Sequence, residues 1–424
     1  MRGKLPWLVG VVLAIGVGIA VAGALWLGDD DNAAAVEENL PSASSPVGTS
    51  VPAPATPAAQ AAAVARLERF WTVERVVAAL DHATPQLEGE TRSEAPSTPS
   101  GSVPGGQRDA TAEPTEPRAA PTVPALGSVI QRSCSQPPVA RAIQGYPYTR
   151  FCYRGRLNVA PARTSGALIY WDDSDADSVV DSGEVWNCTA TVTAAENRSV
   201  LMTAGHCVVK SANQTRNGKP RWHKSMAFVP SYVVQSFYRA PDSNDDALTQ
   251  SVRKSMWFAQ PIPGTDYSTS WSPSPWIDKR YWSHDFAAVV VAPRNRGGSI
   301  QTIQDVLGAQ GWDMTGTVRP GKLRLLGFPV AKPFDGRVLF ECRGSSHLVR
   351  GENDPAPELG VGCDMTGGSS GGPWLAASNS RGLGTVVSVN SNAVDGVPIM
   401  YGPRLSGLHL DAMRKAQNTD VGLP

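Results

Sequence analysis

The sequence predicts an all-β domain over residues 128–424, preceded by a long segment with little capacity to build a core. Three observations carry this expectation. Short apolar runs recur from Ser128 onward, helical periodicity is nearly absent among them, and the composition changes at that point.

The runs are Ala167–Tyr170, Ser199–Met202, Met226–Val229, Phe286–Val291, Leu323–Phe328, Val338–Phe340 and Thr385–Val389. Each is short, rich in β-branched or bulky apolar residues and bounded by turn formers, which is the signature of strands. Many short strands with no fixed-period repeat fit a barrel or sandwich. Helical spacing returns only over Leu405–Ala416, where a C-terminal helix is expected.

Upstream, residues 29–127 read as a disordered linker or pro-region. Pro, Ala, Ser and Thr dominate 41–59 and 95–125, and such stretches bury too little apolar surface to offset chain entropy. One island differs. Ala61–Leu80 lacks Pro and Gly and spaces Val64, Leu67, Trp71, Val77 and Leu80 as one amphipathic helix would, over about 61–80. It reads either as a transient helix in a stalk or as a pro-segment that packs on the domain. Removal of a pro-segment before the domain, near Arg132, is a further expectation that no specific motif marks.

Residues 1–28 read as a membrane anchor or signal segment. Trp7–Leu27 is apolar and uncharged, with Arg2 and Lys4 before it and Asp29, Asp30 and Asp31 after it. A run of this length can span a bilayer as a helix, with its basic end in the cytoplasm. Ala20-Val21-Ala22 offers a cleavage site if the segment is a signal peptide. Either outcome exports the remainder, which is then secreted or anchored through residues 7–27. Lys+Arg and Asp+Glu both total 38, so charge supplies no reason to expect a nucleic-acid partner. The six cysteines contain no Cys-x-x-Cys pair. A zinc site is therefore not expected, and an even count suits disulfides in an oxidising compartment.

Three local patterns carry chemistry. Leu201-Met202-Thr203-Ala204-Gly205-His206-Cys207 sets a histidine directly after a strand, and a Cys188–Cys207 bridge would anchor its loop by ~3 kcal/mol. Ser283-His284-Asp285-Phe286-Ala287-Ala288-Val289 opens a buried-looking strand with an acid. Thr366-Gly367-Gly368-Ser369-Ser370-Gly371-Gly372-Pro373 wraps paired serines in glycine. A serine hydroxyl needs a base to take its proton, and the base needs a carboxylate to fix its tautomer. Glycines let consecutive N–H groups converge on a developing oxyanion.

TAGHC around His206, HDFAAV around Asp285 and TGGSSGGP around Ser370, in that order, resemble the trypsin/chymotrypsin-like serine peptidases. CDMTGGSSGGPW, VVSVNSN and MYGP are similar to the bacterial secreted branch related to glutamyl endopeptidases, as is FWTVERV in the candidate helix. The resemblance covers about 150–405. It implies a chymotrypsin-like double antiparallel β-barrel and a serine endopeptidase that forms an acyl-enzyme on Ser370. His206 would be the base and Asp285 its orienting carboxylate. The N–H groups of Gly368 and Ser370 would form the oxyanion hole, and Ser388, Val389 and Asn390 would match the strand that binds substrate backbone. The expected disulfides are Cys188–Cys207, Cys342–Cys363 and the remaining Cys134–Cys152. The expected partners are protein or peptide substrates of a monomeric catalytic domain that needs no cofactor or metal. Ser369 stands where many members carry Asp, so activation through a new N-terminal amine is not expected. The Cys342 and Cys363 spacing also departs from that of the animal enzymes.

Other readings compete. A non-catalytic binding module on this fold, or an esterase using the same triad, would share these motifs. The glycine–serine turn also satisfies the nucleophile-elbow pattern of α/β-hydrolases at either serine, with Asp395 and His409 downstream, but the strand–helix alternation of that fold is missing. Asp313 is the rival to Asp285. Asp364 sits where a basic-selective pocket carboxylate would lie, although a solvated turn is the plainer reading. Asp173, Asp175, Asp177, Asp181 and Glu184 have the spacing of a calcium loop, but Ser178 replaces the glycine that such a loop needs at its turn. An acidic hairpin tip is the plainer reading. The tryptophan-rich stretch Lys210–Trp282 reads as an elaborated barrel loop or as extra substrate subsites.

Overall fold

The computed structural model describes residues 56–83, 92–94, 107–118, 134, 136–143, 145–238, 247–262, 264–296, 298–317 and 321–422. The expected span at 7–27 and much of the linker lie outside these. No helix among the described residues is long and apolar enough to cross a membrane.

The body is mostly β-sheet, consistent with the chymotrypsin-like arrangement that the motifs imply. A seven-stranded antiparallel sheet runs in the order Trp257–Phe258, Lys224–Pro230, Ser165–Trp171, Val185–Thr193, Val200–Thr203, Ala287–Val290, Ser270–Trp271. It curls until its ends meet, where Gln260 N donates to Val290 O (2.8 Å) and Ala292 N to Phe258 O (2.9 Å). Leu168, Met226, Phe228, Leu201 and Val289 fill its interior. Alternate residues such as Ala167, Ile169 and Val229 point outward and are also fully buried.

Two helices help to cover that outer face. Helix α1 (Pro57–Phe70) and helix α2 (Val73–Asp81) pack Leu67, Trp71, Val76 and Leu80 into the same cluster as Ile169 and Val229. The Trp71 indole N–H donates to Ser225 O at 2.6 Å. The single helix expected over 61–80 is therefore two. Thr72 breaks it because its hydroxyl accepts from Arg75 N (3.3 Å) and caps a new N-terminus. The six-residue step from Trp71 to Val77 spans that break. The disordered-linker expectation for 29–127 likewise fails for 56–83, 92–94 and 107–118. Thr111–Ala112 pairs with Gly311–Asp313, and Arg92–Glu94 pairs with His347–Gly351. Pairing with an open sheet edge uses backbone groups, which a Pro/Ala-rich composition still supplies.

Two further large sheets take strands from both ends of the described chain. One runs Thr111–Ala112, Gly311–Asp313, Thr385–Val389, Pro373–Ala376, Lys322–Gly327, Phe340–Ser345, Tyr146–Cys152, Val139–Ile143. The other runs Arg92–Glu94, His347–Gly351, Glu358–Gly362, Ile399–Pro403, Asn392–Ala393. Leu325, Phe340, Leu359, Val361, Trp374 and Met400 form their shared core. The expected C-terminal helix is present at Gly407–Gln417 and lays Leu410 and Met413 in one cluster with Phe286 and Ala288. All three expected disulfides are formed, Cys134–Cys152, Cys188–Cys207 and Cys342–Cys363.

Candidate active site

The strand Val200–Thr203 ends in a single tight turn, Gly205–Cys207, that carries His206. Glycine is required at 205 because a Cβ there would come within 2.6 Å of the Trp276 ring and 3.0 Å of Asp285 Oδ1. The Cys188–Cys207 bridge ties the turn to the neighbouring strand. A second anchor comes from His223, whose Nε2 lies 3.2 Å from His206 O. His223 lies beside Asp172. Burial alone would raise the Asp172 carboxyl, but His223 and Lys210 hold it well below the usual carboxylate range.

Asp285 is completely buried and His206 nearly so. The carboxylate accepts three hydrogen bonds: from His206 N to Oδ1 (2.8 Å), from His206 Nδ1 to Oδ2 (2.8 Å) and from Ser391 Oγ to Oδ2 (2.5 Å). A carboxylate partner requires the proton on Nδ1, which leaves Nε2 as the basic nitrogen. Nε2 is buried, and no hydrogen-bond partner for it is found among the described residues.

The serine turn is fixed by its backbone. Ser369 N and Oγ both donate to Thr366 O (3.2 and 2.7 Å), Gly371 N donates to Asn390 O (2.7 Å) and Gly372 N to Ser369 O (3.0 Å). Asn390 Nδ2 donates to Ser369 O (2.9 Å) and Leu326 O (2.9 Å). Among the described residues no backbone acceptor is found for the N–H groups of Gly368 and Ser370. Gly368 has φ +95°, and a Cβ there would meet Phe328 O at 2.7 Å, so only glycine fits. Of the paired serines, Ser369 has its hydroxyl committed to the backbone.

Short links connect this turn to the other two residues. Thr189 N donates to Ser370 O (2.7 Å) and Thr189 Oγ1 to Gly368 O (3.0 Å), while adjacent Cys188 is bonded to Cys207. Gly371 packs directly against Thr203 and Ala204, just before His206. Asn390, which grips Ser369 and Gly371, precedes Ser391 on Asp285. The turns bearing His206 and Ser370 and the residue bonded to Asp285 thus adjoin one another, and no hydrogen bond joins Ser370 Oγ to His206 Nε2.

Several expectations change. Ser388, Val389 and Asn390 are fully buried and internally engaged: Ser388 Oγ donates to Pro403 O (2.8 Å), Val389 pairs with Pro373, and Asn390 Oδ1 accepts from Trp374 Nε1 (2.8 Å). They brace the serine turn and present no side chain to a substrate. The next residue, Ser391, is the one whose side chain reaches Asp285. Asp364 is not a free pocket carboxylate, since Arg150 Nε binds its Oδ1 at 2.9 Å. Asp313 accepts from Thr315 N and Oγ1 and caps a turn. Of the α/β-hydrolase candidates, Asp395 is exposed, while His409 lies in the C-terminal helix with its ring bonded to Ser283 O and Ser406 N.

The acidic loop brings the carboxylates of Asp173, Asp175 and Asp177 within 4.8 Å of one another. However, Lys224 holds Asp173 (2.7 Å), and Glu184 is spent on Ser174 and Trp171. Of the five tryptophans in 210–282, Trp222, Trp257, Trp276 and Trp282 are buried, as a packed loop requires. Trp276 lies 6.2 Å from the His206 ring.

No family model matches the chain, and no curated protein does. Among solved structures it is similar to the protease Anisep from Arthrobacter nicotinovorans, at 25% identity and TM-score 0.43 over 61% of this chain and 97% of that one. It is similar to the thermostable serine protease AL20 from an extremophilic microorganism, at 24% and 0.44 over 61% and 99%. A Glu endopeptidase is a third, at 18% and 0.42 over 64% and 97%.

Proposed function

We propose that this chain is a serine endopeptidase acting outside the cytoplasm. The observation that carries the reading is the wholly buried Asp285 carboxylate, bonded twice to His206 and once to Ser391, which sets Nε2 as a base at the junction with the Ser370 turn. Ser370 Oγ attacks the scissile carbonyl carbon and passes its proton to His206 Nε2. The N–H groups of Gly368 and Ser370 stabilise the oxyanion, a contribution of ~3–4 kcal/mol per donor. His206 then protonates the departing amine, and water attacks the acyl-enzyme by the same base. Three disulfides support an oxidising compartment. Substrates are proteins or peptides.

A fluorophosphonate probe tests this. It should label wild-type protein at Ser370, fail on Ser370→Ala and fail on denatured protein, while wild type cleaves a diverse peptide mixture. No labelling of correctly disulfided protein would sink the reading in favour of a binding module. Ester turnover with every peptide intact would favour an esterase.

A further inference from the structure

We propose that Asp354 and His409 are positioning residues for Asp285, acting through Ser283; this rests on the peptidase reading above. Asp285 leaves a single turn, Trp282–His284, and its N–H closes that turn on Trp282 O (3.1 Å). Whatever fixes the turn therefore fixes the carboxylate.

Every polar group of Ser283 is held by residues remote in sequence. Ser283 N donates to Asp354 Oδ2 (2.8 Å), and its hydroxyl donates to Asp354 Oδ1 through a very short bond. Its carbonyl faces His409 Nε2 at 3.1 Å. The tautomer of His409 follows: Nδ1 accepts from Ser406 N (3.0 Å), so Nε2 carries the proton and donates to Ser283. Asp354 is buried in the turn between His347–Gly351 and Glu358–Gly362 and also accepts from Ala356 N (3.1 Å). His409 is buried in the C-terminal helix. Two separate elements thus clamp the one turn.

His284 completes the arrangement. Its Nδ1 lies 2.9 Å from Ser283 Oγ, whose proton is already given to Asp354, so Nδ1 donates. The relay His284 to Ser283 to Asp354 has the residue types of a catalytic triad, but its hydroxyl is buried and its proton committed. Its work is mechanical. The ionisable groups facing this turn are His206 and Asp285 in front, Asp354 from the hairpin, and His284 stacked on His409 at 5.7 Å. Tyr281 lies 6.4 Å from the His284 ring, and Glu358 reaches Ser391 through Asn392.

The test uses the full chain bearing Asp354→Asn, His409→Leu, His409→Gln or Ser283→Ala, with each sample titrated by fluorophosphonate so that rates refer to competent sites. Asp354→Asn and His409→Leu should lower kcat at least tenfold with KM within twofold. Both should move the acid limb of kcat/KM to lower pH, because a loosened Asp285 stabilises the imidazolium less. His409→Gln keeps an N–H donor and should recover most of the loss. Ser283→Ala gives a milder loss with the same direction of limb shift and serves if the buried variants fail to fold. Variants that melt earlier, yet keep wild-type kcat per titrated site and an unmoved acid limb, would overturn the positioning role alone. Wild type that neither labels nor cleaves would overturn the peptidase reading on which it rests.

Discussion

On the proposed reading, the base half of the site (His206 and Asp285) and the nucleophile half (Ser370) are held by different forces. Asp285 is a buried charge satisfied by three short hydrogen bonds, and the loop bearing His206 is pinned by a disulfide and by His223. The Ser370 turn carries no charge. It is held by backbone hydrogen bonds to Thr189 and Asn390 and by glycines that nothing larger can replace. A buried carboxylate depends on every partner, since removing one leaves desolvated charge. A backbone turn depends on shape, and fails when a side chain is forced into it. Substitutions in the two halves should therefore fail in different ways.

If the peptidase reading holds, the largest effects fall on the proposed reacting groups. Ser370→Ala should lower kcat by about 10⁴–10⁶-fold, and Asp285→Asn by about 10⁴-fold at neutral pH because the amide favours the wrong tautomer; both are read by single-turnover peptide cleavage. Gly368→Ala should cost about 10²–10³-fold in kcat, with KM nearly unchanged, by displacing an oxyanion donor. A wild-type rate there would remove the shape argument for the nucleophile half. Ser391→Ala removes one bond to a charged group, worth about 1.5–3 kcal/mol, and should lower kcat about tenfold to a hundredfold. No change would mean that two bonds suffice for Asp285.

Acid should reach the base half before the nucleophile half. Burial, with His284 beside it, pushes the His409 imidazole down to about 3 from 6.5, and burial also lowers His284 despite Asp354. The unfolded chain therefore binds more protons than the folded one between those values. Stability rises with pH across that window and levels off above it. Melting temperature should fall by a few degrees as pH drops from about 6.5 towards 4, and less steeply in His409→Gln. The smallest effect concerns the acidic loop. With Asp173 and Glu184 already bonded, chelator should shift melting by less than about 1 °C; a larger shift would make 173–184 a calcium site.

Much of the candidate site's local arrangement was legible in the chain because each turn is shaped by its own neighbours. TAGHC, HDFAAV and TGGSSGGP each place a candidate residue beside the glycine, cysteine or strand that shapes its turn. What escaped reading depends on distant partners. Ser391 matters through Asp285, 106 residues away, and Asp364 is silenced by Arg150, 214 residues away. Neither pairing leaves a trace in local spacing. The helical cover was half legible: the amphipathic spacing was visible, but the Thr72 break and the docking face were not. Burial on both faces of Ser165–Trp171 is the reciprocal sign, since it removes the polar alternation that marks an exposed sheet face.

That cover has a practical consequence. A recombinant protein begun at residue 128 would strip α1 and α2 away and present Ala167, Ile169, Val229 and Phe237 to water as one greasy surface. Expression has to start upstream of Thr56.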